Sequence, residues 1–255
     1  YPSFLGTTAD ALYLKAAAWT LRYAWLIVWL TAASPGPFRA ETFGQCRERV
    51  KPVYASVRCG KEGYWNPFLP VLDFSGVSSY CESIESYVRE GMIYSSSELY
   101  LPVRLKPRGA YTLEALRKGI DHIELRMLDL NPLEPAGIAL EDLRFLRLFL
   151  IWCSFCPEYL PDEKEQADAI TNMKHAALFD EKSIWIREGS VLIPVREAAL
   201  EILSDMACTF EAIGCFDALS TIEYQKRKLL IPGSRYAEQV DRLCANSLPS
   251  ARITA

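Results

Sequence analysis

Residues 119–138, GIDHIELRMLDLNPLEPAGI, carry polar side chains at every second position: His122, Glu124 and Arg126. Successive side chains of a β-strand point to opposite faces, so Glu124 and Arg126 would lie side by side, about 7 Å apart. The intervening positions are apolar and would face a core: Ile123, Leu125 and Met127. A carboxylate suits Mg²⁺, and an arginine beside it suits a phosphate on the same metal. Such a pair would suit phosphoryl transfer, but it is a weak signal by itself, because Glu-x-Arg on an exposed strand is far more often a solvated charged face.

Other chemistries are disfavoured by composition and by missing motifs. The chain has 255 residues, 50% of them hydrophobic, and a net charge of −4. This charge gives no basic footprint for nucleic acid. Neither G-x-x-x-x-G-K-[ST] nor G-x-G-x-x-G occurs, which excludes a P-loop and leaves no dinucleotide fingerprint. Two histidines, His122 and His175, argue against a histidine triad.

The cysteines predict free thiols. Among the eight cysteines, Cys153 and Cys156 form a lone C-x-x-C. A structural zinc site needs two further ligands, and the spacing of Cys208 and Cys215 is not that of a zinc knuckle. Metal binding and a disulfide stay as minor alternatives. Reduced thiols in a cytoplasmic protein fit the pattern best.

The most apolar run covers residues 23–33 and is too short to span a bilayer, which needs about 20 apolar residues. It predicts a buried helix instead. The chain begins at Tyr1, without a basic region followed by an apolar stretch that would mark a signal peptide. We therefore expect either that the N-terminus has been removed or that the sequence is a fragment of a longer protein.

Local signals place helices and strands around the polar stretch. A long helix is predicted over 9–33, with Asp10 as its N-cap and a stop at residues 34–37, Ser-Pro-Gly-Pro. An amphipathic helix over 78–92 should end near Gly91. A short helix should begin at Thr112 and end at Gly119.

A second strand is predicted over 98–106, where four apolar residues alternate with polar ones: Leu99, Leu101, Val103 and Leu105. Pro102 would put this strand at an edge or a bulge. The polar faces of the two strands would look into one cleft. Beyond Gly137 we expect a deeply packed helix over 139–153, amphipathic helices over 161–181, 193–213 and 234–247, and a polar tail.

Several motifs together resemble the glutamate–cysteine ligase family, in the bacterial branch that includes the bifunctional glutathione synthetases. They are SSELYLPVRLKPRG, GIDHIELRMLDLNPLEPAGI, ASVRCGKEGYWN, LRFLRLFLIWC and DALYLKAAAWTLRYAWLIVWLTAASP. The resemblance covers about residues 10–155. It implies an α+β, glutamine-synthetase-like carboxylate–amine ligase fold, here partial. The small mixed or antiparallel sheet would carry the active site on its polar face, followed by a helical C-terminal half.

The resemblance also implies a reaction. ATP would phosphorylate the γ-carboxylate of L-glutamate, and the amino group of L-cysteine would attack the acyl phosphate. The products would be γ-glutamylcysteine, ADP and phosphate, the first step of glutathione biosynthesis, with Mg²⁺ or Mn²⁺ as cofactor. Small molecules would be the partners, with no nucleic acid and no membrane.

Matching positions carry the family's roles onto this sequence. Glu124 matches a metal-binding glutamate, Arg126 the arginine on the transferring phosphate, and Tyr100 a tyrosine of the cysteine pocket. Lys15 falls where some relatives have an arginine at the amino-acid carboxylate, so the charge stays but the fork is lost. Leu21 replaces a second cysteine-pocket tyrosine, which keeps open a related ligase acting on another amine.

The expected organisation is the C-terminal portion of a single catalytic domain. Residues 1–136 would hold the active-site helices and strands, and residues 137–255 the helical part. The family's first half, with further acidic ligands and much of the nucleotide site, is missing before Tyr1. The fragment alone should therefore be inactive. A non-catalytic scaffold of the same fold is the alternative from another class.

Overall fold

The computed structural model describes residues 7–36 and 52–247. Its helices are α1 (Ala9–Arg22), α2 (Ala24–Thr31), α3 (Val77–Arg89), α4 (Leu113–Arg117), α5 (Leu140–Phe155), α6 (Glu163–Ala176), α7 (Val195–Ala212), α8 (Asp217–Leu230) and α9 (Tyr236–Ser247). Its strands are β1 (Val103–Lys106), β2 (His122–Leu125), β3 (Trp185–Glu188) and β4 (Val191–Pro194). Within these ranges the strands form two antiparallel pairs, β1–β2 and β3–β4. The α+β expectation, with a small antiparallel sheet, is confirmed.

The N-terminal helix starts from a different cap than the one predicted. Thr8 is the N-cap, and its hydroxyl accepts the Ala11 N–H at 3.2 Å. Asp10 lies inside the first turn of α1, so its assignment as N-cap was wrong. Its carboxylate instead accepts the backbone N–H of Ile120 at 2.8 Å. Asp10 therefore ties α1 to the segment that enters β2.

The apolar run is a buried helix, as predicted, but it is a separate one. Tyr23, at φ −102° and ψ 16°, interrupts the single helix expected over 9–33. Every residue of α2 is buried, and its one polar side chain, Thr31, donates to the Ile27 carbonyl oxygen at 2.7 Å. In the ranges that the structure describes, each helix is too short or too polar to cross a bilayer. Of the predicted stop, Pro37 lies outside the described residues.

The β1–β2 pair places the predicted polar residues opposite one another. Arg104 faces Glu124 and Lys106 faces His122 in the antiparallel register. Residues 96–98 form a short 3-10 turn, so β1 is shorter than the predicted 98–106. Before β1, the Asn66 side chain makes hydrogen bonds to the backbone that a neighbouring strand would otherwise make. Its amide donates to the Glu98 carbonyl oxygen at 2.9 Å and accepts the N–H of Tyr100 at 2.7 Å.

The predicted α4 boundaries are confirmed. Thr112 caps the helix by accepting the Ala115 N–H at 3.1 Å. Gly119 follows it at φ +142°, a region that favours glycine. Helix α3 likewise precedes Gly91, which adopts φ +72°. These local signals bring β2 back beside β1.

The C-terminal half is helical, with two departures from expectation. One face of α5 is exposed at Leu140, Leu143 and Ile151. The prediction that this helix is packed on most sides was therefore wrong. The β3–β4 hairpin was not predicted, although Gly189, at φ +61°, and Ser190 form a two-residue loop typical of hairpins. The polar tail after residue 247 lies outside the described residues.

A buried charged pair joins three helices of this half. Lys228 of α8 lies 2.7 Å from the Asp142 carboxylate of α5 and donates to the Leu30 carbonyl oxygen at 2.9 Å. Lys228 is 4% exposed and Asp142 2%. Gln225 also donates to Asp142, at 2.8 Å, and Lys228 sits 4.0 Å from the centre of the Tyr236 ring. The pair fixes the C-terminal end of α2 against α5 and α8.

Candidate active site

An open cleft of about 280 Å³ lies where the chain enters β1 and leaves β2. Three stretches supply its polar and aromatic lining: the loop with Arg58, Tyr64 and Trp65, the segment before β1 with Tyr100, and the end of β2 with Arg126 just after it. Among the described residues that line it, none is acidic. The cleft therefore presents positive charge between aromatic walls, which suits a small anionic ligand.

Arg126 is held firmly at this cleft. Its backbone N–H donates to the Pro102 carbonyl oxygen at 2.8 Å, which extends the β1–β2 pairing by one residue. Its Nη1 donates to the Leu99 carbonyl oxygen at 3.1 Å. Its guanidinium lies 5.5 Å from the centre of the Tyr100 ring. The predicted phosphate-binding arginine and the predicted cysteine-pocket tyrosine are thus neighbours.

Glu124 of β2 lies beside two cations of β1, Arg104 and Lys106. Lys106 Nζ is 3.9 Å from Glu124 Oε2. That oxygen is buried and accepts no hydrogen bond from the residues that the structure describes. Arg104 and Lys106 both cover the Tyr111 ring, at 4.9 and 4.5 Å from its centre. The sheet face therefore holds more positive than negative charge.

This excess of positive charge affects the pKa of Arg126. Burial lowers the pKa of Arg126, and the like charges of Arg104 and Arg58 lower it further, against the opposing effect of Glu124. The guanidinium stays charged near neutral pH, since arginine remains protonated in proteins. A bound anion would relieve the repulsion among these cations, which is the electrostatic requirement of a phosphate or carboxylate site.

The buried oxygen of Glu124 fits a role as one ligand of a hard divalent cation, because Mg²⁺ binds carboxylate oxygens. Within the described residues, no group of three or more His, Cys, Asp or Glu side chains converges on a metal position. This part of the chain would therefore contribute one protein ligand rather than a complete site.

The LDLNP exit of β2 anchors the loop that carries Arg58. The Asp129 carboxylate accepts the backbone N–H groups of Ala33 and Ser34 at 3.0 and 3.2 Å and the hydroxyl of Ser56 at 2.9 Å. The Cys59 thiol donates to the Met127 carbonyl oxygen at 3.1 Å. Burial raises the pKa of Cys59 to about 12, so this thiol is no thiolate nucleophile near neutral pH. Asp129 is thus a structural support of the cleft.

Lys15 is not among the residues that line this cleft. It lies on α1; burial raises the pKa values of Cys153 and Cys156 on α5, and the Lys15 charge opposes this effect only in part. Leu21 is 2% exposed and belongs to the core. His122, the first polar residue of β2, is exposed and contacts the Asp121 carboxylate at 3.0 Å. The structure brings Tyr100 and Arg126 together at the cleft. Glu124 lies beside Lys106 and does not line the cleft, and Lys15 lies elsewhere.

The sequence reasoning gave no role to three residues that line the cleft: Arg58, Tyr64 and Trp65. All three come from ASVRCGKEGYWN. An arginine followed by closely spaced glycines and two aromatic residues was the available signal. The Tyr64 and Tyr100 rings pack edge to face with centres 4.5 Å apart. The Trp65 indole donates to the Gly60 carbonyl oxygen at 2.8 Å.

Comparison with known proteins identifies the family. A family model described as glutamate-cysteine ligase matches residues 5–176. The chain belongs to the glutamate–cysteine ligase family. The recognition made from the motifs is confirmed. Among its relatives are the glutathione biosynthesis bifunctional proteins GshAB of Listeria welshimeri, 31% identical over 93% of the chain, and of Pasteurella multocida, 33% identical over 84%.

Solved structures agree with the ligase fold. A bifunctional glutathione synthetase from Pasteurella multocida matches 92% of the chain and 30% of its own, at a TM-score of 0.73 and 26% identity. A glutamate–cysteine ligase from Francisella tularensis, in complex with AMP, matches 94% of the chain and 55% of its own, at a TM-score of 0.78 and 18% identity, which shows the fold alone. The chain spans 32% of the Listeria welshimeri relative and 27% of the Pasteurella multocida one.

Proposed function

We propose that this chain forms part of the active site of an ATP-dependent, ADP-forming ligase that joins the γ-carboxyl group of L-glutamate to the amino group of L-cysteine. The observation that carries the proposal is Arg126, fixed between the Leu99 carbonyl oxygen and the Tyr100 ring at a cleft without acidic lining in the described residues. Membership of the glutamate–cysteine ligase family supports the same reaction.

Each residue would have a distinct task. Arg126 would hold the phosphoryl group during its transfer from ATP to the γ-carboxylate, where positioning and charge stabilisation dominate catalysis. Tyr100 would contact the cysteine whose amino group then attacks the acyl phosphate and releases phosphate. Glu124 would be one ligand of Mg²⁺ or Mn²⁺; when bound, the ion neutralises charge on the phosphate oxygens. The carboxylate-binding role of Lys15 stays a prediction.

The proposed site would extend beyond this chain, which spans 32% of a matching relative. Residues 1–136 would contribute the active-site elements and residues 137–255 would support them. Further metal ligands and most of the nucleotide site would come from other parts of the full-length protein. The chain alone should therefore release no phosphate from ATP.

The test compares the full-length protein with the 255-residue chain. With ATP, Mg²⁺, L-glutamate and L-cysteine, the full-length protein should release one phosphate for each γ-glutamylcysteine, with NMR showing the γ linkage. Omitting either amino acid should stop dipeptide formation. A full-length protein that makes no such dipeptide would refute the proposed function, and rapid turnover by the chain alone would refute the divided site.

A further inference from the structure

Lys174, in the last turn of α6, packs against a wall of the cleft. Its Nζ lies 4.8 Å from the centre of the Trp65 ring, and Trp65 lines the cleft together with Tyr100 and Arg126. Both Lys174 and Trp65 are half-buried. Lys174 is not among the described residues that line the cleft. It therefore contacts the cleft through the indole of Trp65 rather than directly.

The environment of the Lys174 ammonium favours its contact with the ring. Burial lowers the pKa of Lys174, and no charged or hydrogen-bonding group of the described residues opposes this effect. The negative face of an indole attracts a cation, more strongly where water is partly excluded. A lysine in the last turn of a helix is also favoured by the helix dipole, which does not require Trp65. These two roles predict different results on substitution.

The Trp65 indole is restrained at its edge as well as at its face. Its Nε1 donates to the Gly60 carbonyl oxygen at 2.8 Å. The backbone of Gly60 lies close to the buried Tyr54, because a Cβ at residue 60 would be 2.5 Å from the Tyr54 ring. The hydrogen bond thus fixes the edge of the indole, and Lys174 restrains the plane of the ring.

Helix α6 is bonded to the same loop, so Lys174 has a fixed position relative to Trp65. The carbonyl oxygen of Ala177, at the end of α6, accepts the backbone N–H groups of Ala55 and Ser56 at 2.7 and 3.2 Å. At the other end of this loop, the Asn66 side chain accepts the backbone N–H of Tyr100 at 2.7 Å. The loop therefore connects the end of α6 to the segment that carries Tyr100.

We propose that Lys174 is a positioning residue that holds the Trp65 indole in the wall of the cleft and thereby sets how tightly the acceptor amino acid binds. The inference rests on the proposed function, in which Tyr100 contacts this acceptor. A wall that is already in place lowers the entropic cost of binding. The contribution of Lys174 thus falls on acceptor binding and not on phosphoryl transfer at Arg126.

The experiment uses Lys174→Met in the full-length protein, since methionine keeps an apolar stem and removes the charge. Loss of the cation–π contact should raise KM for cysteine about two- to tenfold. The kcat and KM for ATP should stay near wild-type values. Lys174→Arg should restore KM, because a guanidinium also stacks on aromatic rings. In a Trp65→Leu background, Lys174→Met should change KM no further, since residues that act through one contact are not additive.

Tryptophan fluorescence gives a second measurement that does not depend on turnover. The spectrum should differ between wild type and Lys174→Met, and this difference should disappear when both proteins carry Trp65→Leu. Lys164→Met, at an exposed lysine in the first turn of α6, is the matched control and should change neither KM nor the spectrum.

Two outcomes overturn the inference. An unchanged KM for cysteine in Lys174→Met, with a lower free energy of unfolding, would mean that Lys174 only stabilises the end of α6. An equal rise in KM with and without Trp65→Leu would mean that Lys174 does not act through the indole. If wild-type protein makes no γ-glutamyl product from cysteine, it is the proposed function that fails.

Discussion

Arg104 and Arg126 donate to the same acceptor, the backbone carbonyl oxygen of Leu99, at 2.6 and 3.1 Å. Two guanidinium groups that would repel each other are thus held together by one oxygen. Arg104 is 8% exposed, and its other partner is the Ser97 carbonyl oxygen at 3.0 Å. Arg104 therefore has a structural role, because its guanidinium binds backbone carbonyl oxygens, while Arg126 faces the cleft. The arrangement concentrates positive charge where an anion can bind.

Arg126→Lys should lower kcat of the full-length protein about a hundredfold or more. The ammonium keeps the charge but loses the fork that grips two phosphate oxygens, and the loss falls on charge developing in the transition state. Steady-state kinetics with saturating substrates would measure it. Added Mg²⁺ should not restore activity. Arg147→Lys, outside the cleft, should behave as wild type, and a wild-type kcat for Arg126→Lys would leave the strand as a solvated charged face.

Glu124→Gln should lower activity for a different reason, because it should weaken the binding of the metal ion. The substitution removes a negative charge from the proposed cation ligand, so apparent affinity for Mg²⁺ should fall. Raising Mg²⁺ or replacing it with Mn²⁺ should return part of the lost activity. Glu114→Gln on α4, whose carboxylate pairs with Lys118 at 2.8 Å, is the control and should leave the Mg²⁺ dependence unchanged. An identical Mg²⁺ titration for wild type and Glu124→Gln would contradict the ligand role.

Tyr100→Phe should weaken the use of cysteine more than that of glutamate or ATP. Hydrogen bonding to the Tyr64 side chain raises the pKa of Tyr100, so its hydroxyl stays protonated and able to donate. One hydrogen bond to a charged group is worth about 1.5–3 kcal/mol, or roughly ten- to a hundredfold in kcat/KM. Tyr94→Phe, at a tyrosine that is 95% exposed, is the control. Unchanged cysteine kinetics would return Tyr100 to a structural role.

Lys228→Met should destabilise the chain strongly, because it leaves the Asp142 carboxylate buried without its cation. Breaking a buried ion pair from one side costs about 3–5 kcal/mol of unfolding free energy. The double variant Asp142→Leu/Lys228→Met should recover much of this, since an apolar pair carries no desolvation cost. Urea unfolding would give both values. A single variant as stable as wild type would show that the pair contributes little to holding α2 against α8.

The same pair predicts a dependence of stability on pH. Burial lowers the pKa of Lys228 from 10.5 to about 8, despite the Asp142 charge. Between these values the unfolded chain binds more protons than the folded one, so the free energy of unfolding should rise with pH in that window. Urea unfolding midpoints measured from pH 8 to 10 would test this. The double variant should lack the rise, and parallel curves would contradict the lowered pKa.

The recognition of the family and the placing of β2 were available from the sequence. Alternation at residues 122–127 fixed which side chains face the core, because a strand repeats every two residues. Thr112 and Gly119 marked the ends of α4, because a cap and a left-handed glycine are local requirements of the backbone. This alternation put Glu124 and Arg126 on one face of β2, whereas their roles and that of Tyr100 came from the family resemblance.

Tertiary structure decided the partners that lie far apart in sequence. Asp10 looked like a helix cap, but it accepts the N–H of Ile120, 110 positions along the chain. Arg58 enters the cleft because Asp129 fixes the loop of Ser56 against the exit of β2. Patterns in a sequence report what the backbone does within a few residues. Which side chains converge on a site depends on packing between elements that are distant in sequence. Here that packing places Arg58 at the cleft and Lys15 outside it.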